Sequence, residues 1–489
     1  MKEPSFSISG QIVDIVNRRI FPGTITVEGA FIASIKEEPV QETDYILPGF
    51  IDAHVHIESS LVVPSEFARV APIHGTVATV SDPHEIANVL GLAGIRYMIE
   101  NARLVPFKFY FGASSCVPAT RFETAGATVT CEDIEMLFRD EGVKYLSEMM
   151  NYPGVLHHDP EVMAKIACAK LYNRPIDGHA PGLMGKEAAD YISAGISTDH
   201  ECYRLDEAKN KIAHGVNIII REGTAAKNFE ALHPLFKSSP EKLMFCSDDK
   251  HIDDLVDGHI NVLCRRALEK GYDLMDILRA ASLKPIEHYG LDVGLLRPGD
   301  AADFIVIKEK DFTQFIPSAT FINGRCVAIE GISLINRQPV EVLNHFDTSP
   351  KTEAQFRVKV NPDDTHLRVI VACDGELITK SKTTSLHVDA EGYVEADVKN
   401  DILKIAVVNR YEPAEPSVAF ITNFGFKQGA CASTVAHDSH NIIAVGTSDR
   451  LIAKAVNALI ASKGGLVAVT ETEEKKIALP IAGLMSNDD

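Results

Sequence analysis

Three textures of apolar and polar positions follow one another along the chain. Between residues 5 and 47, short runs alternate apolar with polar positions, as in GQIVDIV, GTITVEG and AFIASIKE, and Pro-Gly and Gly turns separate them. A period of two with frequent turns predicts an antiparallel sheet with one wet face. The same texture returns over 301–332, in ADFIVIK, TFINGR and CVAIEG. A small β-sandwich domain assembled from both flanks, 1–47 and 299–345, is therefore expected.

Between them, over 48–298, short apolar runs alternate with helical periodicity: TVATV then GLAGIRYMIENARLV, VKYLSEM then DPEVMAKIACAKLY, PIDGHA then GKEAADYISAG. Strand and amphipathic helix repeated over roughly 250 residues is the pattern of an α/β protein with a (β/α)8 TIM-like barrel. A doubly wound sheet would place G-x-G-x-x-G after an early strand, and none occurs. From about 346 the runs LRVIVACDG and LKIAVVNRY and the late helical pattern DRLIAKAVNALIAS predict a separate C-terminal α+β domain, 346–489. No solenoid-period repeat or low-complexity tract is present.

Length and composition agree with this division. The 489 residues exceed what one hydrophobic core organises. A formal charge of −20 with scattered Lys and Arg repels a phosphate backbone, so the expectation is a small-molecule substrate and no nucleic acid. The start, MKEPSFSISGQIVD, has no apolar core of signal-peptide length, and no run of about 18 apolar residues occurs, which predicts a cytoplasmic protein without membrane association. Nine cysteines include no C-x-x-C, so reduced, mostly buried thiols are expected.

The chemistry concentrates at inferred strand ends. In PGFIDAHVHIESS, His54 and His56 are two apart on a strand and so share a face, which lets both imidazoles converge on one ion. Glu148 ends VKYLSEM, His179 ends PIDGHA, His200 follows GISTD, and Asp248 follows LMFCS. Alone, each has a plainer reading as a hydrogen-bonded core histidine or a capping carboxylate. Together, at the face where barrel active sites collect, they offer ligands for two divalent ions.

The segments PGFIDAHVHIESS, VSDPHEIANV, YLSEMMNYPGV, DGHAPGL, STDHE, CSDDKH, AHDSHNIIAVG and LPIAGLMS resemble the amidohydrolase superfamily and, within it, the bacterial adenine deaminases, over nearly the whole chain. The resemblance implies that His54 and His56 hold one metal, that Glu148 bridges, and that His179 and His200 hold the other. Asp248 would touch a metal and the attacking water. Many members of the superfamily bridge with a carboxylated lysine, so Lys144 is kept as an alternative to Glu148. Mixed nitrogen and oxygen donors suit manganese, iron or zinc, and the resemblance points to two Mn2+ ions, with Fe2+ or Zn2+ as alternatives.

The implied reaction is adenine plus water giving hypoxanthine plus ammonia, a step of purine salvage. Asp248 would accept a proton and return it to the leaving amine, with His251 polarising the ring or relaying protons. In SDPHE, Asp82, His84 and Glu85 are candidates for substrate binding, Glu85 also for catalysis; the alternative is an Asp-Pro turn with a capping carboxylate. His437, Asp438 and His440 of AHDSHN are read as an accessory metal site, a lid or solvated loop residues. Homo-oligomerisation, as a dimer or higher, is implied by the resemblance alone.

Rival chemistries lack their signatures. His56-Ile57-Glu58 spells H-x-E, but the P-C-x-x-C of the zinc deaminases is absent, and so is the G-x-S-x-G of serine hydrolases. A cyclic-amide hydrolase of the dihydroorotase or hydantoinase kind is the alternative within the fold. A barrel that had lost its chemistry would have lost ligands, whereas all six are present.

Overall fold

In the computed structural model, residues 5–360, 364–374, 378–386 and 388–488 are described; the first four residues of MKEPSFSISGQIVD and the last of LRVIVACDG lie outside them. The chain divides into two compact units, one of Met1–His84, Arg96–Cys116 and Val129–Pro339, the other of Glu85–Ile95, Val117–Thr128 and Val340–Asp489.

The first unit is built on eight parallel strands: β1 (Phe50–Val55), β2 (Thr76–Ser81), β3 (Lys108–Ala113), β4 (Tyr145–Met149), β5 (Ile176–Gly178), β6 (Thr198–Asp199), β7 (Asn217–Arg221) and β8 (Leu243–Cys246). β1 to β5 pair in order, as do β6 to β8. A parallel bridge from Ile176 to Ile196 joins β5 to the start of β6, and one from Val55 to Asp248 closes β8 onto β1. The result is a closed barrel. Every residue of β1, β2, β4, β7 and β8 is buried, so these strands carry apolar residues toward both faces instead of alternating with solvent-facing positions.

The helices between strands are started by local chemistry. Thr130 and Asp133 form a reciprocal capping box at the head of Cys131–Asp140, and Ile134, Leu137 and Phe138 make its buried stripe. Asp159 accepts from the Glu161 and Val162 amides to begin Pro160–Leu171, with proline in the first turn.

Both flanks join one eight-stranded sheet in the order Ile332–Ser333, Arg325–Ile329, Ala319–Ile322, Phe304–Ile307, Tyr45–Pro48, Ser5–Asp14, Arg19–Glu28, Phe31–Glu37. Phe304–Ile307 runs antiparallel to Tyr45–Pro48, the strand that leads into β1. Ile12, Ile25, Val27, Ile46 and Phe304 are fully buried in its core.

In the second unit another eight-stranded sheet, from Lys380–Ser385 at one edge to Glu474–Ala478 at the other, carries the helix Asp449–Ser462. Leu451, Ile452, Ala455, Val456 and Leu459 of that helix pack with Ala406, Val408, Ile442 and Ala444 of the sheet. The Ser448 side chain accepts from the Leu451 amide to start it. All nine cysteines are free thiols. Among the described residues no helix is long and apolar enough to cross a membrane.

Candidate metal centre

Four of the six strand-end candidates stand just beyond or at the carboxyl ends of β4, β5, β6 and β8, and His54 and His56 flank the end of β1. His54 Nε2 lies 3.1 Å from His56 Nε2. His56 Nδ1 is 3.1 Å from the Asp82 carbonyl, which can only accept, so this nitrogen carries a proton and Nε2 is the ring nitrogen that faces the cluster. Asp248 adopts a left-handed backbone (φ 54°), and its amide and carbonyl bond to His54 O (3.0 Å) and His56 N (3.3 Å). Barrel closure and site assembly are thus the same contact. Asp248 Oδ1 stands 3.4 Å from His54 Nε2 and 3.3 Å from His56 Nε2.

Glu148 lies between two groups of histidines. Its Oε1 faces His56 Nε2 at 3.4 Å and His84 Nδ1 at 3.3 Å, while its Oε2 faces His179 Nδ1 at 2.6 Å and His200 Nε2 at 3.0 Å. Gly178, directly before His179, lets β5 and β6 approach closely, since a Cβ there would collide with the Thr198 carbonyl oxygen. Lys144 stands immediately before β4, four residues ahead of Glu148, a separation of about 13 Å along extended chain. Its ammonium lies 3.4 Å from Asp292, apart from the cluster.

The donor set fits divalent cations. His54 Nδ1 and both ring nitrogens of His200 are buried without hydrogen-bond geometry to any partner, although His200 Nε2 is close to Glu148. Three sets, His54 with Glu148 and His200, His54 with His56 and Asp248, and His56 with Asp82, His84 and Glu148, each bring their ligand atoms within 4.8 Å of one another. Burial pushes the Glu148 carboxyl up, but His179 and His200 outweigh it and hold it well below the usual range. Burial is likewise outweighed at Asp248, where Arg221 and the histidines hold the carboxyl down. At His179 burial opposes protonation, yet Glu148 and Glu201 raise its pKa to about 9. Buried anions that draw protons onto neighbouring imidazoles draw metal cations by the same field.

The other candidates divide. His84 Nδ1 is 3.0 Å from Asp82 Oδ2, and Ser114 Oγ donates to Asp82 Oδ1 at 3.2 Å, so Asp82 and His84 belong to the cluster. His251 is exposed, heads the short helix Ile252–Asp257, and bonds through its amide to Thr224 Oγ1 (2.9 Å); among the described residues no contact ties its ring to the six. Within the second unit, Glu85 meets His437 and His440.

Two residues were missed by sequence reasoning. Buried Arg221, at the end of β7, reaches Asp248 Oδ2 at 2.6 Å and grips both oxygens of Glu201. Glu201 Oε1 in turn lies 3.6 Å from His179 Nδ1 and 3.7 Å from His200 Nε2. The signal available was the run NIIIR, a cation directly after three consecutive isoleucines, and the Glu directly after His200. Behind the site, Asp52 on β1 accepts from the Ser247 amide (3.0 Å) and contacts His259 Nε2 (2.7 Å), fixing β1 against β8.

A closed parallel barrel with histidines and carboxylates gathered at its carboxyl rim defines the class, and residues 45–327 match the amidohydrolase family: the chain belongs to it. Residues 376–489 match the adenine deaminase C-terminal domain. The chain is 55% identical to an adenine deaminase of Sulfurovum sp. (strain NBC37-1), over 98% of this chain and 87% of that protein. It is 52% identical to an adenine deaminase of Salinibacter ruber, over 99% and 88%. Within the amidohydrolases it therefore belongs with the adenine deaminases. At 13% identity and a TM-score of 0.51, over 66% of this chain and 100% of the other, N-acetyl-D-glucosamine-6-phosphate deacetylase from Mycobacterium smegmatis shares the fold.

Proposed function

We propose that this protein is an adenine aminohydrolase, converting adenine and water to hypoxanthine and ammonia in purine salvage. The observation that carries the reading is Glu148, each of whose oxygens faces a different pair of histidines. His54 and His56 would hold one divalent cation, His179 and His200 a second, with Glu148 between them and Asp248 beside the first. Manganese is the preferred ion. Such a centre supplies water that ionises near neutral pH.

The chain's own groups do the rest. Asp248, pinned by Arg221, takes the proton released as oxygen bonds to C6 of the purine. It returns that proton to the amine as the C6–N bond breaks, so ammonia leaves neutral. His84 and Asp82 bind the ring, and Glu85 serves proton transfer to a ring nitrogen. His251, exposed, has at most an outer relay role.

Three domains, 1–47 with 299–345, 48–298 and 346–489, are proposed to make up the enzyme. It would act in the cytoplasm, a compartment its nine free thiols suit, and as a homo-oligomer. The test is ammonia release by manganese-loaded protein offered adenine, adenosine, guanine, cytosine and a cyclic amide. Adenine is expected to be turned over fastest; ring opening of the cyclic amide with adenine untouched would overturn the reading.

A further inference from the structure

The segment AHDSHN has a specific partner. Glu85, buried and second in the helix His84–Leu90, offers one carboxylate oxygen to each of two histidines from the far end of the chain. His437 Nδ1 lies 2.6 Å from Oε1, and His440 Nε2 makes a short contact with Oε2.

The proton on His440 can be placed from its surroundings. The Ala436 amide donates to His440 Nδ1 at 3.2 Å, which requires a bare lone pair on that nitrogen. A charged ring would present N–H at both positions, so His440 is neutral and its single proton sits on Nε2, aimed at Glu85. The loop that carries the ring is fixed on every side. His440 N–H donates to Ala436 O (2.8 Å), Tyr411 Oη–H to Ser439 O (2.6 Å), Arg410 Nη1 to His440 O (3.3 Å), and Asn441 Nδ2 to Thr124 O (2.8 Å). His440 is buried, while the His437 side chain is 39% exposed. Glu85 is thus held at Oε2 by one rigid donor, while Oε1 faces a ring that meets solvent.

Resting on the adenine deaminase reading and on the role proposed there for Glu85, we infer that His440, with His437 beside it, is a positioning residue for Glu85. The carboxylate, which directly follows His84 in the chain, has Oε2 tied to the fixed His440 ring and Oε1 set against His437. It is kept in the single orientation that proton transfer to the purine requires. On this view the AHDSHN segment is more than a passive loop, and the C-terminal domain contributes to turnover through Glu85.

Full-length, manganese-loaded protein tests this by steady-state kinetics on adenine, with metal content and melting temperature measured alongside. Since a positioned proton-transfer group contributes about 10²–10⁴-fold, His440→Ala is expected to lower kcat by about 30-fold or more, with KM changed by less than about 3-fold and metal retained. His440→Gln, whose amide can still donate, should recover kcat to within about 5-fold of wild type. His437→Ala, at a partly exposed position that tolerates truncation, should fall between the two. In a Glu85→Gln background, His440→Ala should cost less than about 2-fold, because the group it positions is already lost. Wild-type kcat in His440→Ala, or the same factor lost with and without Glu85, would overturn the assignment. A wild-type protein that releases no ammonia from adenine would instead overturn the functional reading, and this assignment with it.

Discussion

Arg221 Nη1 lies 2.6 Å from Asp248 Oδ2, while the other oxygen of the same carboxylate faces His54 and His56. One guanidinium, itself gripped by Glu201, therefore sets which lone pairs of Asp248 point into the cluster. Arg forms such two-pronged contacts because its donors are a planar fork.

Removing that cation leaves two buried carboxylates uncompensated. Arg221→Gln is expected to lose about 3–5 kcal/mol of stability, the cost typical of breaking a buried pair, and to lower kcat by about 10–100-fold. Thermal melting and steady-state kinetics check both; an unchanged kcat would remove Arg221 from the site's machinery.

Glu148 offers one oxygen to each side, and an amide cannot. Glu148→Gln should bind fewer metal equivalents than wild type by elemental analysis and lose at least about 100-fold in kcat. A full metal complement in that variant would mean the carboxylate does not bridge.

Metal removal should act on stability as well as on rate. Dialysis against a chelator is expected to abolish ammonia release and to lower the melting temperature, since ligand at about 1,000 times its Kd stabilises by about 4 kcal/mol. Manganese added back should restore both. Activity that survives with metal analysed as absent would sink the metal-centre reading.

Far from the cluster, His288 gives a pH signature. The Ser197 hydroxyl donates to Ile176 O, so it accepts from His288 Nε2–H at 3.2 Å, and Asn217 Nδ2 donates to His288 Nδ1 at 3.2 Å. That arrangement holds the neutral ring, and burial, helped by Lys284 and Lys242, lowers its pKa to about 4. The folded value lies below the ordinary value of 6.5. The stability this group contributes is therefore fully present above about pH 6.5 and is lost as pH falls toward 4, a change of about 2–3 kcal/mol. His288→Gln should be less stable than wild type near pH 7 and decline less steeply on acidification; parallel melting curves from pH 7 to 4 would contradict this.

Local periodicity determined a great deal here. A period of two in the flanks, buried apolar runs alternating with amphipathic helices in the middle, and His54 and His56 two apart on a strand are properties of neighbouring residues, so the chain carries them in plain order. Even the contrast between Lys144 just before a strand and Glu148 near its carboxyl end is legible once the strand is drawn.

Tertiary structure alone decided the pairings. Arg221 meets Asp248 and Glu201 because three separate strand ends converge, and His440 meets Glu85 across 355 positions of chain. His251, two residues from the CSDD motif, ends up exposed at the head of a helix instead. Which nitrogen of His56 or His440 carries its proton depends on a carbonyl or amide supplied by another turn of backbone. Spacing along a chain encodes which face a side chain shares with its neighbours; it holds no record of which distant charge, carbonyl or amide the closed fold will set against it.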